Sequence, residues 1–185
     1  LRTDIIENFQ IFLTIDQDKQ GPPSMTPEQR YSVNLLVDNG HIENAPVIVE
    51  PNPTYENLFG RIEYRQSMQS MVTDHTLIRA GALHRANGGV LILRADAVAS
   101  NQSVWEFLKG ALRDGEIRIE ETYREHTPTV SGALTPCSIA LEIKIILIGA
   151  PKWYYTFFSA DPEFQSYFKV KANIAPDMES TQENI

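Results

Sequence analysis

Acidic side chains are the first candidates for chemistry. Glu116, Glu120, Glu121 and Glu125 lie close together in the chain, interleaved with Arg118 and Arg124. Paired carboxylates can share acid and base work, but acids alternating with arginines are more simply the solvated edge of a hairpin. His41, His75, His84 and His126 are scattered, at no spacing that closes around a metal. Cys137 follows Pro136 in a loop-like stretch and reads as an exposed thiol without a role rather than as a nucleophile. Trp153, Tyr154 and Tyr155, with Phe157 and Phe158, could stack on a ligand, though such clusters more often pack a core. GxxxxGK(S/T), GxSxG, HExxH and CxxC do not occur in the sequence.

Positioning any of these groups requires a scaffold. Its centre is residues 81–95, GALHRANGGVLILRA, where a short polar segment with His84 and Arg85 meets Asn87-Gly88-Gly89 and then an apolar run bounded by Arg94. That pattern predicts helix, glycine stop and buried strand. Apolar residues 5, 6, 9, 12 and 13 predict a one-sided helix over 4–13, and the prolines and glycine of 19–27 predict a loop. Strands are expected over 31–37 and 46–50, and a short helix over 54–60 with Thr54 as its N-cap. Residues 61–76 show no firm period and predict a loop or exposed hairpin, followed by a helix over 77–86.

The strongest helix signal covers 104–113, with Val104, Phe107, Leu108, Ala111 and Leu112 on one stripe and Asp114-Gly115 as its stop. Residues 116–120 alternate like a strand, 121–138 form a long excursion, and 143–148 are the most apolar strand. Two short helical pieces are expected over 153–158 and 161–168. Runs 90–93 and 143–148 are continuous enough for central parallel strands covered on both faces. The fold class is therefore α/β with a mainly parallel sheet and one or two edge strands.

Composition narrows the function classes. The chain has 185 residues, long enough for one domain with a sizeable core. A net charge of −8 argues against wrapping nucleic acid, which needs a basic face. A single cysteine allows no disulfide within the chain and fits a reducing, cytoplasmic setting. The longest apolar run is too short to cross a bilayer, so no membrane partner is expected. The chain starts on Leu1 inside a helical pattern and is expected to be a piece of a longer protein.

Five segments taken in order carry a resemblance: NLFGRIEY (57–64), GALHRANGGVLIL (81–93), WEFLKGALRDGEIRIEE (105–121), IKIILIGA (143–150) and DPEFQSYFKV (161–170). Together they resemble the second half of an AAA+ core, a P-loop NTPase fold of three layers, as found in the AAA-type domain of Lon-related ATP-dependent proteases. A similar order occurs in bacterial enhancer-binding transcription activators. In that family a Walker B strand ends in Asp-Glu, the Asp holding water on Mg²⁺ and the Glu positioning the attacking water. The resemblance places Arg94 at the Asp position and Ala95 at the Glu position. A cation cannot hold Mg²⁺ and alanine cannot orient water. Asp96, the next acid, could rescue a metal contact but is more simply a turn or cap residue. The sensor position falls on Ala150, beside Pro151, and Lys169 falls near the activators' arginine finger, without its planar fork.

The resemblance further implies that 61–76 is an insertion facing the pore of a ring, where Tyr64, Met68 and Met71 would grip an extended polypeptide. The excursion 121–138 matches a second pore-directed hairpin. The family's Ser–Lys protease dyad sits in a separate C-terminal domain, and Ser131, Ser138 and Lys144 do not form its motif. The expected organisation is a helix and linker over 1–27, the AAA-type domain over 28–175 and a flexible tail over 176–185. The expected role is assembly and polypeptide handling for a Lon-like serine protease. No cofactor and no metal are expected on this chain, with ATP and Mg²⁺ reserved for the full-length protein. Its partners would be unfolded polypeptide and a homo-oligomeric ring. The rival readings are an active remodelling ATPase of the activator type and a non-enzymatic binding module on the same fold.

Overall fold

The computed structural model describes residues 2–7, 9, 31–67, 70–119 and 134–175. Met68, the acids Glu120, Glu121 and Glu125, most of 1–27, and 176–185 lie outside the described residues. The elements run α1 (Arg2–Glu7), β1 (Val47–Glu50), α2 (Tyr55–Phe59), β2 (Arg61–Ile62), β3 (Arg65–Ser67), β4 (Ser70–Val72), a 3₁₀ turn (His75–Leu77), β5 (Ile78–Arg79), α3 (Ala82–Arg85), β6 (Val90–Arg94), α4 (Ala95–Ala99), α5 (Gln102–Asp114), β7 (Glu116–Ile117), β8 (Ile139–Ala140), β9 (Lys144–Ile148), α6 (Pro151–Ala160) and α7 (Phe164–Tyr167).

The apolar run of β6 takes the centre of a three-stranded parallel sheet ordered β1-β6-β9. Val47 stands opposite Val90 on one side of β6, and Lys144 opposite Val90 on the other. This is the α/β class expected, compatible with part of a P-loop-type core. Alternation of side chains divides the sheet faces. Leu91 and Leu93 point into the core at 0% and 1% exposure, with Ile145 and Leu147 packed beside them. Val47 (60%), Val49 (63%), Ile146 (47%) and Ile148 (56%) face the other way and stay exposed. The expectation that both apolar runs are covered on both faces is therefore corrected for β9. It pairs only with β6 among the described residues, and its outer face is bare.

The core is built by helices on the buried face. Asn101 caps α5 by accepting from Val104 N–H at 3.2 Å, and Gly115 ends it in a left-handed conformation at φ 67°. Between these stops Val104, Leu108 and Ala111 are buried. Each fully buried leucine contributes about 2 kcal/mol relative to exposure. Thr54 caps α2 by accepting from Asn57 N–H at 3.2 Å, as the sequence suggests. Tyr55 stacks on Phe59 at 4.8 Å, and Phe107 of α5 meets Tyr55 edge-on at 4.9 Å. The aromatic run of α6 is partly core. Phe157 lies 4.9 Å from Trp105 and stacks on Phe164 at 5.4 Å, while Tyr155 and Phe158 remain exposed.

The two glycines before β6 serve different ends. Gly88 has a positive φ of 79°, and its N–H donates to Glu142 O. Gly89 lies directly against the chain entering β1, where an added Cβ would stand 2.0 Å from Pro46 O. Val90 N–H donates to that same carbonyl, so the close approach is what starts the β1–β6 ladder.

Three expected elements differ. Residues 32–35 are not a strand, and Val33 and Leu35 are exposed. Asn34 instead ties the segment down through its side chain, donating to His75 O and Ile78 O at 2.8 and 2.9 Å. The helix expected over 77–86 is confined to α3. Ile78 and Arg79 pair with Ile62 and Arg61, and Gly81 is pressed against Leu58 O, so the backbone cannot coil until Ala82. Of the strand expected over 116–120, Glu120 lies outside the described residues, and among those described only Glu116 and Ile117 pair, against Ala140 and Ile139.

Candidate functional site

In an open parallel α/β sheet, ligands settle beyond the carboxyl ends of the strands. Here those ends are Glu50, Arg94 and Ile148, the last followed by Gly149 and Ala150. Arg94 lies opposite Ile148 and is exposed. It is also the N-cap residue of α4, so strand passes to helix with no intervening loop. Its guanidinium grips Asp96 with two bonds, Nε to Oδ1 at 3.1 Å and Nη2 to Oδ2 at 2.5 Å. The hydrogen bonds from Arg94 hold the Asp96 carboxyl below its ordinary range, and the same bonds push Arg94 up. Asp96 is thus a partner of Arg94 in the first turn of a helix.

Ala95 is 6% exposed and lies against Gly149, the residue after β9; a Cβ there would stand 2.9 Å from Ala95 Cβ. Ala150 is exposed and is the N-cap of α6, which starts on Pro151. The sheet therefore brings Arg94, Ala95 and Ala150 to one edge. No cluster of three or more His, Cys, Asp or Glu side chains that could hold a metal occurs among the described residues. Glu50 is an edge residue that sequence reasoning missed. It is 9% exposed, accepts from Asn52 N–H at 3.1 Å and meets Arg85 Nη2 at 3.4 Å. Its signal was an acid closing the apolar strand PVIVE (46–50).

A second region is the ribbon 61–79. Residues 61–62 pair with 78–79, and beyond them β3 pairs with β4, Gln66 opposite Met71. Thr73 Oγ1 donates to Glu63 O at 2.8 Å and Glu63 N–H to Leu77 O at 2.9 Å, which fastens the root of the hairpin. Tyr64 and Met71 share one open cleft of about 610 Å³ on this ribbon. Lys169 is exposed in the segment after α7.

The family described as "LonB-like, AAA domain" matches residues 43–175, well over half of the chain. The chain belongs to this LonB-like AAA domain family. No match to it is found among curated proteins. Membership places the β1-β6-β9 sheet, the 61–79 ribbon and the helices α2 to α7 inside the matched region of a Lon-related AAA-type domain.

One buried titratable group in this LonB-like domain lies at neither candidate site. His84, on α3, is 6% exposed, and its Nδ1 accepts from Gly81 N–H at 3.3 Å. Burial disfavours the imidazolium and lowers the His84 pKa. The unfolded chain then binds the proton more readily than the fold does. The contribution of neutral His84 is complete above the unfolded value of about 6.5 and is lost as pH falls below it. Thermal melts from pH 8 to pH 5 are expected to show a falling midpoint below about pH 6.5. In His84→Asn that part of the slope should flatten, and an unchanged slope would assign it to other groups.

Proposed function

We propose that this LonB-like AAA domain serves a Lon-like ATP-dependent serine protease as its module for assembly and polypeptide handling, and that its nucleotide site does not hydrolyse ATP. The observation that carries the reading is the end of β6: a cation, Arg94, bonded to Asp96, followed by a buried Ala95 with Gly149 against it. A catalytic Mg²⁺ site needs oxygen ligands, commonly carboxylates, at such a strand end. Arg94 offers only donors, and Ala95 has no functional group. Arg94 and Ala95 therefore do not fit a Mg²⁺–nucleotide at the end of β6, and the edge acids Glu50 and Asp96 are engaged by Arg85 and Arg94, so no hydrolytic step is assigned here.

In this reading residues 28–175 form the AAA-type domain, 1–27 link it to a preceding region and 176–185 form a tail. The Ser–Lys dyad, and any ATP and Mg²⁺ the parent protein uses, belong elsewhere in that cytoplasmic protein, which would assemble as a homo-oligomeric ring. Tyr64 and Met71, with Met68 between them in sequence, contact the unfolded polypeptide. The test is degradation by the full-length protein. Tyr64→Ala combined with Met71→Ala should slow proteolysis of an unfolded protein about tenfold, the equivalent of one lost anchor contact. Cleavage of a short free peptide should be unaffected. Equal rates on the unfolded protein would remove the ribbon from substrate handling.

A further inference from the structure

We propose that the cleft on the 61–79 ribbon takes an acidic segment of an extended polypeptide, and that Glu63 occupies its arginines until a substrate carboxylate displaces it. The inference rests on the polypeptide-handling reading and adds to it the substrate class and a gate. The cleft, of about 610 Å³, has a cationic part made by Arg61, Arg65 and Arg79 and an apolar part made by Tyr64, Met71 and Leu77. Its acids are Glu56 and Glu63, so guanidiniums outnumber carboxylates in a chain whose net charge is −8.

Glu63 spreads itself over two guanidiniums. Oε1 accepts from Arg61 Nη2 at 2.9 Å, and Oε2 from Arg79 Nε at 2.8 Å. It thereby takes one donor from each, and a guanidinium carries five. The bonds from Arg79 and then Arg61 hold the Glu63 carboxyl below its ordinary range, so it is an anion throughout the neutral pH range. Arg65 makes no ion pair within 4 Å among the described residues. Asp74 feels the charge of Arg65 at a distance, but its Oδ1 accepts from the hydroxyl and backbone N–H of Thr76 and no bond joins the two side chains among the described residues.

A carboxylate entering beside Arg65 would find an uncommitted guanidinium there and could exchange with Glu63 for the other two. All of these groups are partly solvated, so the exchange is between ion pairs of similar modest strength and can run in both directions. The apolar part suits a neighbouring Leu, Met or aromatic side chain of the same segment, with Met71 adapting its shape. A nucleic acid would ask for a basic track longer than this cleft on a protein that is acidic overall.

The test is fluorescence anisotropy on the full chain, with a labelled peptide alternating Glu and Leu and its Gln–Leu isostere. The acidic peptide should bind about three- to fivefold tighter at low salt, and the difference should close as ionic strength rises. Arg65→Gln should abolish the preference and Arg65→Lys should retain most of it. Glu63→Gln should strengthen acidic binding about threefold and leave the isostere unchanged. Equal affinity for the two peptides, with binding still lost in Tyr64→Ala/Met71→Ala, would overturn the acidic class and leave polypeptide handling standing. Binding of neither peptide would overturn both. Tighter binding of a single-stranded oligonucleotide than of the acidic peptide would overturn the substrate class in favour of a nucleic acid.

Discussion

Asp161→Ala is expected to destabilise the fold by about 2 kcal/mol, because it leaves the indole N–H of Trp105 unpaired and takes from Lys109 the nearest of its three carboxylates, the others being Glu106 at 3.1 Å and Glu163 at 3.8 Å. Asp161 ends α6, and its side chain is 11% exposed. It accepts from Lys109 Nζ at 2.8 Å, from Trp105 Nε1 at 2.6 Å and from Glu163 N–H at 2.9 Å. Lys109 and Trp105 belong to α5, so one carboxylate joins the main core helix to the α6–α7 pair. Burial by itself would raise the Asp161 pKa, but the bonds from Lys109 and Trp105 outweigh it and hold the carboxyl below its ordinary range.

Asp161 therefore contributes fully above the unfolded carboxylate value of about 3.9, and the contribution is lost as pH falls through the lower folded value. For a chain of this size the melting midpoint of Asp161→Ala should drop by about 4–8 °C near neutral pH. Asp161→Asn with Lys109→Met keeps an acceptor for Trp105 and removes both charges. That pair should cost at least about 0.5 kcal/mol less than the sum of its single variants. Strict additivity would show that the charges do not act on each other.

The second large effect concerns the glycines before β6. Gly89→Ala would place a Cβ 2.0 Å from Pro46 O and 2.8 Å from Pro46 Cδ, both fixed by the start of β1. Relief requires the β1–β6 ladder to shift, at a cost of about 3 kcal/mol or more. Gly88→Ala meets no atom within 4 Å and loses only the ease of a positive φ, about 1 kcal/mol. Chemical denaturation should thus separate two neighbouring, chemically identical substitutions. Equal losses would mean that the close approach of Pro46 does not determine the position.

The parts of the fold legible in the sequence were those with one dominant cause. β6 announced itself by an unbroken apolar run after a double glycine, and α5 by one stripe between Asn101 and Gly115. Thr54 was readable as a cap because capping is local. What could not be read depended on partners distant in sequence. Residues 31–37 are β-branched and apolar enough for a strand, yet the side chain of Asn34 satisfies carbonyls of His75 and Ile78 more than forty positions away. The region 77–86 has helical composition, but Ile78 and Arg79 are claimed by β2.

At the candidate site, the resemblance assigned Arg94 and Ala95 to a strand end and Ala150 to a sensor position, while the adjacency of β6 and β9 that sets them on one sheet edge is a property of the folded sheet. The grip of Arg94 on Asp96 and the packing of Ala95 against Gly149 arise from the turn of β6 into α4 and from its neighbour β9, which no local pattern encodes. Glu50 was missed because an acid at a strand end looks like an ordinary solvated terminus until its burial is known.

The proposal that the end of β6 does not support nucleotide hydrolysis is open to direct measurement. Steady-state ATP turnover by the full-length protein, with and without Mg²⁺, tests it most directly, alongside the Asp96→Asn variant. No Mg²⁺-dependent turnover that responds to Asp96→Asn is expected, since Asp96 is already committed to Arg94. Mg²⁺-dependent turnover that disappears in Asp96→Asn would contradict it.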